Sequence, residues 1–334
     1  MTHPLVEVHG LKKTYPGPVE ALRGIDFSFA RGEIFALLGP NGAGKTTTVR
    51  ILATLSQPSA GRALIDGHHV VNEAPAVRRL IGYVGQASAV DERLTARENL
   101  MLQGRLQGLA GGVLKRRVEE MLSLIDLAAQ ADRPSGGWSG GMRRRLDLAM
   151  GLIHGPRLLF LDEPSAGLDP ESRAAIWSEI ADLAHGSGMG ILLTTHYLEE
   201  ADRLADRVAI IDRGTIVAIG TPEELKSRIA GDVLIVEFAD PADLAEGVRR
   251  LKTNEAVRDL RSSGRTLHLT VENGAQAIPV VMTALQGVAV VSISIQRPTL
   301  DDVYLAATGR TMREAEAGIG AENSDSAIRK GEAA

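Results

Sequence analysis

The sequence carries several groups of residues whose types and spacing could do phosphate chemistry. Residues 39–47 read Gly-Pro-Asn-Gly-Ala-Gly-Lys-Thr-Thr. An apolar run, Ile34 to Leu38, leads in, and a helix-forming stretch from about Thr46 to Leu55 follows. Strand, Gly-rich loop, Lys-Thr and helix together form a phosphate-binding loop. Gly39, Gly42 and Gly44 let the backbone bend tightly and approach a ligand, with Pro40, Asn41 and Ala43 between them. Successive amides then point at phosphate oxygens, backed by the positive end of the helix dipole. Lys45 has the reach for β- and γ-phosphates. The hydroxyl of Thr46 suits Mg²⁺, and Thr47 completes the segment.

Further along, Leu158 to Leu161 is wholly apolar and ends in Asp162-Glu163-Pro164. A strand without polar alternation belongs in the middle of a parallel sheet, covered on both faces. Acids at its carboxyl end sit where open α/β sheets bind ligands. Adjacent side chains diverge, so Asp162 suits the Mg²⁺ shell and Glu163 suits polarising water against the γ-phosphate. Ile191 to Thr195 repeats the buried pattern and ends at His196, which reads either as a satisfied core residue or as a side chain able to hydrogen-bond the same phosphate. Ser139-Gly140-Gly141 precedes an amphipathic helix and offers a second anion-binding end. The following Arg143-Arg144-Arg145 reads as a charged face, and Gln86, after Ile81 to Val84, reads as polar punctuation at a strand end.

The elements that must position these residues are legible in outline. Residues 1–38 read as short strands, with Tyr15 in the first loop, where it is a candidate platform for an adenine ring. His68 and His69 read as loop residues, since neighbours on a strand face opposite ways and make a poor metal pair. Residues 88–150 are helical. Thr95 and Glu98 form a capping box, and Gly108, Gly111 and Gly112 break the pattern before Val113 to Leu127 resumes it. Ser165 to Pro170 is a turn containing Asp169.

The chain has 334 residues, 44% apolar and 24% charged, which suggests about two domains of ordinary globular composition. A net charge of -5 and a pI near 6.0 argue against a general nucleic-acid binder. With no cysteine, disulfides, thiol nucleophiles and thiolate metal sites are excluded. The first residues lack the pattern of a secretion signal, and no apolar run approaches the ~20 residues that span a bilayer. Membrane contact is expected only through a partner.

In this order, Tyr15, the loop 39–47, Gln86, Ser139-Gly140-Gly141, Asp162-Glu163, Asp169 and His196 resemble the ATP-binding subunits of ABC transporters, over about residues 4–230. The Ser-Gly-Gly element closely ahead of the Asp-Glu strand is the discriminating mark, and no Asn-Lys-x-Asp element of a GTPase is present. Two such domains pack head to tail, with each ATP between them. The resemblance implies that Tyr15, Lys45 and the loop hold ATP, and that Thr46, Gln86 and Asp162 serve Mg²⁺ and its waters. It makes Glu163 the general base, has His196 contact the γ-phosphate and has Asp169 communicate across the dimer. Ser139, Gly140 and Gly141 would bind the ATP of the opposite subunit. One set of motifs implies a second ATP-binding subunit, most simply a homodimer. The usual element is Leu-Ser-Gly-Gly-Gln; Trp138 and Met142 depart from it but leave the amide-supplying positions intact. Met142 with the Arg run, and Thr195 to Asp202, are similar to exporters of the daunorubicin-resistance kind.

A cassette of residues 1–231 is expected, as an α/β phosphate-loop domain with a helical subdomain at about 88–150. Residues 232–309 follow the β-α-β-β-α-β order of a small ferredoxin-like α+β domain, read as regulatory or dimer-supporting. Arg297 to Gly309 resembles the C-terminal stretch of the same ATPases, and residues 310–334 read as a disordered tail. The resemblance implies an ATPase on the cytoplasmic side of the membrane, energising export of a drug-like or lipid-like molecule through an ABC-2 type permease. That partner's coupling helix would seat near Gln86. The alternatives are a soluble ABC ATPase of ribosomes or DNA, which usually has two cassettes or a long coiled coil, and a nucleotide-binding regulator with little hydrolysis.

Overall fold

The computed structural model describes residues 3–316 apart from 18, 230 and 253. Of residues 310–334, expected to be a disordered tail, residues 312–316 are helical with Met312 and Ala315 buried, and residues 317–334 lie outside the described residues. Two compact units make up the chain. The first holds Met1–Pro222 and takes the chain back at Met312; the second is Glu223–Thr311.

In chain order the first unit contains β1 (Val6–Tyr15), β2 (Val19–Phe29), β3 (Ile34–Leu38), α1 (Lys45–Leu52), β4 (Ala60–Ile65), β5 (His68–His69), α2 (Ala74–Leu80) and β6 (Ile81–Val84). The helical stretch follows with α3 (Ala96–Leu106), α4 (Gly111–Leu124) and α5 (Gly140–Leu152). The chain then returns to the sheet through β7 (Leu158–Asp162), α6 (Pro170–Ser187), β8 (Gly190–Thr195), α7 (Leu198–Leu204), β9 (Arg207–Asp212) and β10 (Thr215–Gly220). One sheet has the order β2-β1-β4-β5 and is antiparallel. The other has the order β10-β9-β3-β8-β7-β6, parallel except at β10. Every residue of β3, β7 and β8 is buried, as their unbroken apolar runs require of strands covered on both faces. The sheets meet through Phe35, whose ring stacks on Phe27 and on Phe29 at 5.1 Å each.

Register brings the site together. Leu38 on β3 lies beside Thr195 on β8, and Asp162 on β7 lies beside Thr194 on β8. The parallel strands therefore end at one level, and the residues that follow, Gly39, Glu163 and His196, emerge at one sheet edge. This is the carboxyl edge at which open α/β sheets bind ligands.

Several expectations change. The short N-terminal strands are two long ones, paired antiparallel with bulges, and Tyr15 closes β1 opposite Val19 rather than sitting in a loop. His68 and His69 form the two-residue edge strand β5, and His68 Nδ1 lies 2.9 Å from Glu73. Gly111 and Gly112 open α4 instead of breaking a helix, a position where glycine costs little because the first-turn amides are unpaired anyway. Among the described residues no helix is long and apolar enough to cross a membrane.

The second unit begins with α8 (Pro222–Ser227), at its boundary with the first, and β11 (Asp232–Phe238). It continues with α9 (Pro241–Leu251), β12 (Val257–Ser263), β13 (Thr266–Val271), α10 (Gly274–Ala284), β14 (Val290–Gln296) and α11 (Leu300–Thr308). The antiparallel order β12-β13-β11-β14 is that of the expected ferredoxin-like unit. Leu234, Val236 and Phe238 alternate inward along β11 and pack with Leu267, Leu269 and Val281.

Candidate active site

The phosphate loop leaves β3 and enters α1 through backbone that only glycine fits at two points. A Cβ on Gly39 would lie 2.1 Å from the Ile211 carbonyl oxygen, and Gly44 has φ +111°. Thr48 locks the exit, its hydroxyl donating to the Gly44 carbonyl at 2.9 Å. Lys45 is 4% exposed, and its Nζ donates to the carbonyls of Gly39 at 2.7 Å and Pro40 at 3.1 Å. Burial pushes its pKa down from the ordinary lysine value, while Glu163 opposes the shift. The same ammonium lies 3.5 Å from Glu163 Oε1.

Asp162 Oδ1 is the meeting point of two hydroxyls. Thr194 donates to it at 2.6 Å and Thr46 at 3.1 Å. Glu163, on the next residue, has φ +50°, a left-handed conformation uncommon for a residue with a side chain. Its N–H donates to the hydroxyl and the carbonyl of Thr194, each at 3.1 Å. Its carboxylate faces His196 Nδ1 at 3.3 Å, although that nitrogen is not aligned for a hydrogen bond. Gln86 Nε2 donates weakly to Glu163 Oε2 at 3.4 Å. His196, and after it Lys45, hold the Glu163 carboxyl below the usual glutamate range against the opposing effect of burial. Lys45, Thr46, Gln86, Asp162, Glu163 and His196 thus converge although the sequence separates them widely.

The donor set fits Mg²⁺: a hydroxyl, a carboxylate and an amide oxygen are hard ligands. Thr46, Asp162 and Gln86 would hold the ion, which would neutralise phosphate charge.

Ser139, Gly140 and Gly141 lie elsewhere in the unit. Ser139 caps α5, its Oγ accepting the Met142 N–H at 3.2 Å. A Cβ on Gly141 would meet Ser172 Oγ at 3.0 Å, and that hydroxyl donates to Asp169 Oδ2 at 2.7 Å. Asp169 in turn caps α6. The Ser139 end and Asp169 are therefore neighbours, and both make their hydrogen bonds locally rather than with Lys45 or Glu163. Tyr15 is half-buried beneath Lys13, whose Nζ is 4.9 Å from the ring centroid.

Sequence reasoning missed Thr194 and Arg144. Thr194 reads as one more buried strand residue, and only the register against Asp162 reveals it. The arginine run is not a uniform charged face. Arg143 pairs with Glu92 and Arg145 with Glu179, each at 2.7 Å, while Arg144 is buried.

A parallel sheet whose phosphate loop, acidic strand end and histidine meet at one edge defines an ATPase of the ATP-binding-cassette class. Residues 22–166 match the ABC transporter family model, and residues 220–308 match the C-terminal domain of DrrA1-3-like ATP-binding proteins. The chain is similar to the daunorubicin resistance ATP-binding protein DrrA3 of Streptomyces coeruleorubidus, 45% identical over 95% of this chain and 100% of that protein. It is also similar to the daunorubicin/doxorubicin resistance ATP-binding protein DrrA of Streptomyces peucetius, at 42% identity over 91% of this chain and 92% of that one. A solved dimer of the ATP-binding cassette MJ0796 with ADP and phosphate matches with TM-score 0.59 and 25% identity, over 65% of this chain and 98% of that one. The chain belongs to the daunorubicin-resistance family of ABC-transporter ATP-binding subunits. It is an ATP-binding, ATP-hydrolysing subunit.

Proposed function

We propose that this subunit energises export of a hydrophobic, drug-like or lipid-like molecule through a separate ABC-2 type permease, working on the cytoplasmic face of the membrane as a homodimer. Lys45 and the loop amides of Gly39 to Thr47 bind the phosphates, and Tyr15 packs on the adenine. Thr46, Gln86 and Asp162 hold Mg²⁺. Glu163 accepts the proton of the attacking water, and His196 contacts the γ-phosphate. Ser139, Gly140 and Gly141 cover the ATP of the second subunit, and Asp169 carries the signal across. The second domain, about residues 232–309, supports or regulates the dimer.

One observation carries the reading. The phosphate-binding and acid–base residues of one subunit gather around Glu163, with Lys45 Nζ at 3.5 Å and His196 Nδ1 at 3.3 Å. The Ser139 end, by contrast, spends its hydrogen bonds within α5. A single subunit thus has half a site and a spare phosphate-binding end, which head-to-tail pairing would unite. The relatives' names speak of drug resistance, which supports export and a drug-like cargo for this chain. Affinity purification of the full chain from detergent-solubilised membranes is the test. Recovery with a polytopic membrane protein that stimulates ATP hydrolysis is expected. Recovery with ribosomes or DNA and no membrane protein would sink the transporter reading.

A further inference from the structure

Arg144 is the fifth residue of α5, and it is 7% exposed. Among the described residues its guanidinium finds no carboxylate within hydrogen-bond reach. It is spent on backbone carbonyls instead: Nε donates to Pro164 at 2.8 Å, Nη1 to Gly85 at 2.7 Å and Nη2 to Asp162 at 3.4 Å. Asp162 and Pro164 are the residues on either side of Glu163, and Gly85 immediately precedes Gln86. Asp147, on the same face of α5, is 5% exposed and accepts the Ala89 N–H at 2.9 Å. One helix face therefore grips the backbone flanking Glu163 and closes on the Gln86 loop at both ends, at the Gly85 carbonyl and the Ala89 amide.

Two costs make this arrangement informative. Burying a guanidinium away from a paired carboxylate is unfavourable. Holding Glu163 at φ +50° is also unfavourable. An apolar side chain would fill the space under α5 without the first cost. Arginine is suited to the task because its planar fork reaches divergent acceptors at once, which an ammonium cannot.

We propose that Arg144 is a positioning residue for hydrolysis: it fixes the backbone on both sides of Glu163 and, with Asp147, fixes the Gln86 loop, so that α5, the base and the loop move as one body. The inference rests on the roles given above to Glu163 and Gln86. It has a mechanical consequence. The helix that presents Ser139 to the neighbouring subunit's ATP is the helix that aims Glu163 and Gln86 at its own ATP. Seating of one site is thereby felt in the other.

The test uses the full chain with Mg²⁺ and ATP. It follows phosphate release, equilibrium binding of a fluorescent ATP analogue, and thermal melting for Arg144→Met, Arg144→Lys, Asp147→Asn and Glu163→Gln. Arg144→Met is expected to lower kcat by about 100-fold, the scale of losing an aligned base, with the nucleotide Kd within about threefold of the parent. Arg144→Lys should recover part of that loss, since one ammonium can still satisfy some of the carbonyls. Asp147→Asn should raise the Mg²⁺ concentration needed for half-maximal rate, because it loosens only the Gln86 end. A folded Arg144→Met protein that turns over within threefold of the parent overturns the inference, as does a Kd that worsens in step with kcat. Should Arg144→Met fail to fold, Arg144→Lys decides: a parent-like kcat rejects the role, and a roughly tenfold lower kcat at unchanged Kd supports it. Glu163→Gln separates the two levels. If it hydrolyses normally the reading of the base fails; if it is inactive while the Arg144 variants are normal, only the positioning role fails.

Discussion

Lys45 Nζ stands 3.5 Å from Glu163 Oε1, with both side chains buried to 9% exposure or less. The same ammonium donates to the carbonyls of Gly39 and Pro40. The lysine is thus held by the loop and by the base. An incoming phosphate must take it over, and it must do so against the Glu163 carboxylate. Glu163→Gln removes that negative charge and keeps the shape. We expect kcat to fall at least 100-fold, the scale of losing a general base, and ATP affinity to rise several-fold. Phosphate release and equilibrium ATP binding measure the two effects, and hydrolysis at the parental rate would falsify the assignment of the base.

His196 is the first cause holding the Glu163 carboxyl below the ordinary glutamate value of 4.5, ahead of Lys45. A depressed carboxyl pKa adds stability that is present above the unfolded-state value and is lost as pH falls through the folded one. His196→Ala should move the Glu163 pKa back towards 4.5. The acid limb of the kcat profile should then shift to higher pH, and the variant should lose less stability than the parent on acidification below the unfolded-state value, because its Glu163 no longer carries a pKa-linked contribution to lose. Acid limbs that superimpose in the two proteins rule out this role for His196.

How far the sequence discloses this site depends on whether the cause is local. The phosphate loop is a local structure, so Gly39 to Thr47 identifies itself by spacing. Leu158 to Leu161 and Ile191 to Leu193 declare buried parallel strands by lacking polar alternation. Thr194 becomes important only when β7 and β8 align in register, a pairing between segments 32 residues apart at Asp162 and Thr194. Arg144 is chemically identical to its neighbours, and only the packing of α5 over the ends of β6 and β7 decides which of them is buried. Tyr15 closes a strand because β1 pairs with β2 through bulges, which alternation within either strand does not reveal. The ferredoxin-like unit was legible because its turns carry Gly264 and Asn273-Gly274 between strongly patterned segments.

Glycines at the site and away from it should respond differently to alanine. At Gly39 the new Cβ would sit 2.1 Å from the Ile211 carbonyl oxygen, which is backbone and cannot rotate away. Gly39→Ala should cost about 1–3 kcal/mol of stability and weaken ATP binding, because the loop must shift to admit the methyl group. Gly112, in the first turns of α4, has nothing within 4 Å of its added Cβ. Gly112→Ala should be neutral or stabilise by up to about 1 kcal/mol, with ATP binding unchanged. Chemical denaturation and ATP titration of the pair check both statements; equal effects would mean that the crowding at Gly39 is relieved elsewhere at no cost.

Ser139 has two possible duties, and a charge separates them. Its Oγ accepts the Met142 N–H at 3.2 Å, so part of its value is simply capping α5. Alanine removes the cap, at about 1 kcal/mol, together with any contact to a neighbouring ATP, and therefore confounds the two. Aspartate caps a helix as well as serine does. Ser139→Asp should melt close to the parent protein. It would also present a carboxylate to the γ-phosphate of the second subunit, where like charge opposes closure. We expect its hydrolysis to collapse while ATP binding to the isolated subunit stays within about threefold, since Lys45 and the phosphate loop lie in another part of the unit. Parental turnover by a folded Ser139→Asp protein would show that no phosphate approaches this helix end. Loss of single-subunit binding would place the residue in the same site as Lys45. Either result defeats a site completed by two subunits.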